Sequence, residues 1–271
     1  MARRRAVRVP GILSRVWRVV GMLLSREIMV LTNAIAFNFL LCLFPLLLVV
    51  SALSEQLPPG RHAVGALLAL LQELIPFGRE TMAESVRSLS RLSRGVEIAS
   101  LLLIVWGSSG IFMPVEMVLN KAWGGGRIHR EFWKSRLLAF LMTMAGGLLA
   151  LVSVALTITA RGYTKEWPIL AGLGVKASAL SLTCVLFFLI YRVIPDPPVG
   201  TRVAVKGALW AGFAWEAAKY GFVFQLGRMN LQAYYGPLAF AVSLVLWAFV
   251  SSLVLVFGAL MAPVAEPRGR S

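Results

Sequence analysis

Residues 236–262 read GPLAFAVSLVLWAFVSSLVLVFGALMA and contain no charged side chain. A helix rises 1.5 Å per residue, so about 20 apolar residues cross a hydrocarbon core about 30 Å thick. This run is long enough to cross. Working outward, five more runs share its character, at 28–53, 98–119, 137–160, 169–191 and 206–227. In lipid every backbone N–H and C=O must be satisfied within the segment or by a closed barrel. Stretches such as Leu101–Val105 and Phe187–Ile190 do not alternate as barrel strands do. The expected fold is therefore all-α: a six-helix transmembrane bundle over 28–262, with a basic segment at 1–27 and a tail at 263–271.

Composition agrees. The 271 residues are 58% hydrophobic and 14% charged, with a mean hydropathy of +0.78. Soluble domains carry about 25% charged residues, so this chain has too few to cover a water-facing surface. The net charge of +15 would ordinarily suggest an acidic partner such as nucleic acid. Placement of the charges argues otherwise. Arg3, Arg4, Arg5, Arg8, Arg15, Arg18 and Arg26 precede the first long run, and most of the others fill short gaps between later runs. With the N-terminus inside, 17 Lys and Arg fall in inner segments and 8 in outer ones, Lys176 and Lys219 lying within spans. That is the positive-inside pattern, and it places both termini in the cytoplasm. No nucleic-acid partner is expected.

The basic lead and the run after it are both too long for a cleavable signal, so the N-terminal segment is expected to stay attached. Cys42 and Cys184 fall inside apolar runs, where cysteine behaves as a small hydrophobe. They give no disulfide framework or metal site. Two segments fit the membrane surface better than its interior. Over residues 11–25, Ile12, Val16, Val19, Val20 and Leu23 share one helical face beside Arg15, Trp17 and Arg18, the pattern of a basic interfacial helix. In the first outer loop Met82, Val86, Leu89, Leu92 and Val96 form another stripe, and Ala63–Ile75 is apolar but too short to cross. The loop segments either pack over the bundle or, at Ala63–Ile75, re-enter it.

Charged groups within spans cost about 2.5–3.5 kcal/mol each near the centre on insertion scales, so each needs a reason. Span five carries Glu216 and Lys219 near its middle, on one face at i, i+3. They form either a polar site facing a cavity, or a self-neutralised pair or interhelical clamp. Lys176 lies in the outer third of span four and either meets a carboxylate or extends toward the surface. Asn33 and Asn38 of span one suit interhelical hydrogen bonding. Trp106-Gly107-Ser108-Ser109-Gly110, with Pro114, weakens span two from its middle onward. The consequence is an interrupted helix of the kind transporters use, or a kink or close helix contact. Glu116 and Asn120 follow near the inner end, within reach of water. Gly146-Gly147 with Ala150, and Gly174 with Ser178, permit tight helix contacts.

Other chemistries find no support. His62 and His129 lie in loops on opposite sides of the membrane and cannot share a metal. No Gly-rich phosphate loop ends in Lys-Ser or Lys-Thr, and Gly124-Gly125-Gly126 is a flexible turn. No nucleophile, base and orienting group stand at a recognisable spacing.

Three motifs in order resemble the YihY/BrkB family of bacterial membrane proteins: Asn33-Ala-Ile-Ala-Phe-Asn-Phe-Leu-Leu-Cys-Leu-Phe-Pro45 in span one, Trp106–Gly110 leading through Asn120 to Trp133-Lys134-Ser135-Arg136-Leu137, and Tyr234-Tyr235-Gly236-Pro237-Leu238 followed by Leu246-Trp247 and Phe257-Gly258-Ala259. The likeness extends over nearly the whole chain. Phe37-Asn38 stands where the family has Tyr-Tyr, Cys42 where it has Ser, and Leu260 where it commonly has Glu. If that Glu serves relatives, this chain has lost its role or moved it. The resemblance implies six spans, an inner-membrane location and a link to virulence or serum resistance. The family has also carried a ribonuclease label, which no residue pattern here supports.

The expected function is transport or export of a small or amphiphilic, lipid-like substrate. Glu216, Lys219, Lys176, Glu116 and Asn38 are the candidate polar pathway. An ion gradient or a partner ATPase would supply the energy. The alternative is a membrane scaffold or envelope-assembly factor. An enzyme, such as a nuclease working through exposed Glu131 or Asp196, ranks last. The partners expected are membrane lipids, an amphiphilic substrate, and a second copy of the chain or an envelope protein. No cofactor is expected.

Overall fold

The computed structural model is assembled from helices. It describes residues 12–56, 75–78, 80–82, 84, 110–123, 141, 168–196 and 199–264. Among these every regular element is helical. The helices are α1 (Ile12–Leu23), α2 (Arg26–Gln56), α3 (110–122), α4 (Pro168–Val193), α5 (Thr201–Met229), the short α6 (Leu231–Tyr235) and, after a 3₁₀ turn at Gly236–Leu238, α7 (Ala239–Val264).

The apolar runs at 28–53 and 169–191 lie inside α2 and α4, and 206–227 lies inside α5. The run at 236–262 opens with the 3₁₀ turn before α7 begins. The described part of 98–119 continues helical to residue 122. Of 137–160 only Leu141 is described, and it is helical. Trp106–Ser109, Gly146, Gly147 and most of the first outer loop lie outside the described residues.

Length and apolarity together are met unaided by one stretch among the described residues, Leu231–Pro263, with a mean hydropathy of 2.5. Val16–Leu23 and Arg26–Leu41 meet the test only as a pair, bent by 72°. α5 is long enough, but Glu216 and Lys219 interrupt its apolar middle. The all-α class is thus established, while the count of six spans goes beyond what the described helices show.

α5 packs most extensively on α7, and then on α4. The contact is close because small residues face each other: Ala204, Gly207, Ala208, Ala211 and Gly212 are buried along α5. A Cβ added to Gly258 would stand 2.5 Å from both Ala211 Cβ and Tyr191 Oη, and one added to Gly207 would stand 3.1 Å from Ala262 Cβ. Helices in lipid associate through such close packing, since lipid tails are as apolar as leucine.

The helix ends sort into two groups. At the first end Glu27, at the start of α2, forms an ion pair with Lys121 of α3. Trp123 Nε1 donates to the Ala259 carbonyl at 2.9 Å, and Tyr191 Oη donates to that of Leu255 at 2.6 Å. The Asp196 N–H donates to Asn120 Oδ1 at 3.0 Å. The start of α2, the ends of α3, α4 and α7, and the region where α5 begins therefore meet together. At the second end Phe77 packs on Phe222 and Phe240, with ring centroids 5.4 and 5.9 Å apart, over the cluster of Ile75, Met82, Leu244 and Trp247. α5 therefore runs antiparallel to α4 and α7, while α3 and α4 both end at the first end.

α1 crosses the first end. Its expected stripe turns inward: Val19 is fully buried, and Val16, Met22 and Leu23 pack against the same core, while Trp17 is 80% exposed. The Ser25 carbonyl accepts from the Met29 N–H at 2.9 Å and so starts α2 after the bend.

Candidate functional site

α5 carries Glu216 and Lys219 near its centre, and the structure shows where they point. Lys219 Nζ lies 2.7 Å from Glu216 Oε1, with the side chains 13% and 24% exposed. Beyond this ion pair Glu216 Oε1 is buried and meets no hydrogen-bond donor among the described residues. The pair stands on the wall of a cleft of about 790 Å³, a volume within the range of about 300–1,000 Å³ common for small-molecule sites.

The rest of the lining is mostly apolar. Tyr220, Val223 and Phe224 continue along α5, and Pro76, Phe77 and Gly78 cross opposite them. Phe77 holds that crossing segment in place between Phe222 and Phe240. Gly78 has φ +67°, and the Phe240 ring occupies the space a Cβ would need, so only glycine fits there. Beside the cleft the Arg228 guanidinium sits 4.2 Å above the centre of the Phe224 ring. From the pair at mid-helix the lining runs toward the second end of the bundle.

Of the other expected pathway residues, Asn38 and Glu116 do not join this cleft lining. Asn38 Nδ2 donates to the Ala34 carbonyl at 2.8 Å, and its side chain fills the space beside Gly110. It is a helix-contact residue, and Gly110 is small where α2 and α3 meet. Asn33 is exposed. Glu116 and Asn120 are 5% and 4% exposed, not within reach of water as their sequence position suggests. Asp196 binds Asn120, and α1 packs across the same end against α7. Lys176 is carried by α4, and its side chain lies outside the described residues.

Several site residues carry no signal in the sequence. Pro76, Phe77 and Gly78 are local turn residues until the fold sets them against α5. Tyr220 and Phe224 follow Glu216 at i+4 and i+8, which would mark one face of the helix once Glu216 is chosen as its centre. Among the described residues no three His, Cys, Asp or Glu side chains come together as metal ligands.

Comparison with known proteins follows from this geometry. The family profile described as Virulence factor BrkB matches residues 19–270. The chain is 28% identical over 242 residues to the UPF0761 membrane protein RSc1559 of Ralstonia nicotianae, a match covering 85% of this chain and 54% of that protein. It is 25% identical over 284 residues to a UPF0761 membrane protein of Chromohalobacter salexigens, covering 98% and 68%. It is also 24% identical over 241 residues to the ribonuclease-like protein YfkH of Bacillus subtilis, covering 83% and 85%. The chain thus spans between about half and two thirds of the length of these UPF0761 relatives. No solved structure matches.

Proposed function

Because this chain belongs to the virulence factor BrkB family, a group of bacterial integral membrane proteins, we propose that it moves an amphiphilic, lipid-like molecule across the inner membrane. The observation carrying this reading is the cleft itself. One wall offers an ion pair and the others offer aromatic and aliphatic surface, so both halves of an amphiphile find a matching partner.

The wider arrangement proposed is six spans with both termini cytoplasmic. Arg26, Lys121, Arg192, Arg202 and Lys206 all belong to the helix ends gathered at the first end, which the positive-inside rule puts in the cytoplasm. The cleft then runs from mid-membrane toward the outer leaflet. Exposed Trp17 near the first end and exposed Tyr234 and Tyr235 near the second suit the two headgroup layers. The reading assigns no enzymatic role. The ribonuclease-like name of one relative stays with that relative.

The test is flux. Purified protein in vesicles should accelerate movement of fluorescent lipid between leaflets, driven by an ion gradient or a partner ATPase. Glu216→Gln and Lys219→Met should each slow it. Wild-type vesicles indistinguishable from empty ones under both conditions, with stable partners captured by crosslinking, would replace this reading with the scaffold.

A further inference from the structure

The cleft carries one carboxylate and one ammonium in contact, with aromatic rings around them. From this we infer that it holds a zwitterionic headgroup, bearing one ammonium and one phosphate, of a lipid whose chains stay in the bilayer. The inference rests on the cleft being the binding place of an amphiphile and narrows the class of that amphiphile.

Charge balance is the first argument. Glu216 and Lys219 cancel each other, and the other lining residues add no charge; the Arg228 cation stands beside the cleft, exposed and outside its lining. A ligand with net charge would leave an unbalanced ion in a poorly hydrated place, which is strongly unfavourable. A zwitterion adds equal and opposite charges. Its phosphate meets Lys219, its ammonium meets Glu216, and four alternating charges sum to zero. A carboxylate has about four acceptor positions, so Glu216 can accept from a ligand's ammonium while it holds Lys219.

The rings are the second argument. Aromatic faces attract cations, and here one already does so: the Arg228 guanidinium rests on Phe224, a cleft-lining residue. Tyr220 lies one turn from Glu216 on the same face and flanks the place an ammonium would occupy.

A lipid source fits better than a free zwitterion because of what surrounds the cleft. Tyr220 and Phe224 line it and are also 64% and 61% exposed on the outside of α5, with Phe213 at 60%. Apolar surface therefore continues from the cleft out onto the lipid-facing side. Acyl chains could lie along it while the headgroup reaches the pair.

The test uses the full chain in detergent, offered equal amounts of phosphatidylethanolamine and phosphatidylglycerol with identical acyl chains, and reads retained lipid by native mass spectrometry. The zwitterionic lipid should be retained over the anionic one by about tenfold, equivalent to about 1.4 kcal/mol. Glu216→Gln leaves a lone cation and should turn the preference toward phosphatidylglycerol. The charge-swapped E216K/K219E variant keeps a pair, and with it the fold and the original preference. Equal or reversed retention by the wild type overturns the inference, as does an unchanged ratio in Glu216→Gln. Displacement by chain-free glycerophosphoethanolamine at equal concentration overturns the lipid as the source. Selective retention without flux would sink transport and leave this inference standing; flux of both lipids alike would do the reverse.

Discussion

The indole Nε1 of Trp123 donates to the carbonyl of Ala259 at 2.9 Å, joining the end of α3 to the end of α7. The partner is chosen by a proline. In a helix the Ala259 carbonyl would accept from the N–H of residue 263, but Pro263 has none. A carbonyl left unpaired within a membrane protein is costly, and Trp123 supplies the missing donor across 136 positions of sequence.

Trp123→Phe should therefore destabilise by about 1–3 kcal/mol, the cost of an unsatisfied buried acceptor, although a ring is retained against Tyr191. Adding Pro263→Ala returns an N–H to the helix and should recover most of the loss. Thermal unfolding in detergent measures both variants. A second substitution that makes matters worse would show that the proline is not the reason for the bond.

Neutralising half of the central pair should cost more than neutralising all of it. Breaking a buried pair costs about 3–5 kcal/mol, and partial exposure at 24% and 13% places Glu216→Gln and Lys219→Met below that range. The E216Q/K219M double variant leaves no lone charge and should unfold at a higher temperature than the worse single variant. Additive losses would mean that the two groups do not sense each other.

Gly258 is a position where α4, α5 and α7 all crowd together. Gly258→Ala places a methyl group 2.5 Å from Ala211 Cβ and Tyr191 Oη, so the helices must part, at about 1–3 kcal/mol of overpacking. Gly221 meets nothing within 4 Å of an added Cβ, and Gly221→Ala should leave stability unchanged or raised. The two melting curves, recorded side by side, provide the check.

Orientation is testable with single cysteines in a background lacking Cys42 and Cys184. Tyr234→Cys should react with a membrane-impermeant maleimide in intact spheroplasts, whereas Arg202→Cys should react only after lysis. The opposite pattern would invert the assignment of the two ends and turn the cleft toward the cytoplasm.

The reach of the sequence varies from residue to residue. The apolar run at 236–262 announces a membrane helix without help, and the i, i+3 spacing of Glu216 and Lys219 announces a pair on one face. Spacing could not choose between a cavity wall and a sealed clamp, because that depends on what packs opposite α5. Glu116 shows the same limit: its position near a helix end suggests hydration, and burial follows only once the bundle end is assembled. Nothing in the spacing of Gly207 and Gly258 marks them as contact residues, since small side chains mark an interface only when their partners are known.

What the sequence determined alone is local or additive: helix rather than strand, lipid rather than water as solvent, and a basic end for the chain to hold on one side. These follow from hydropathy, backbone hydrogen bonding and charge position, each readable residue by residue. Tertiary structure decided the rest, including the Pro76–Gly78 crossing that makes a cleft beside Glu216 and the indole that answers Pro263. Such matches join residues far apart in the chain, and their energy exists only when packing brings both partners together.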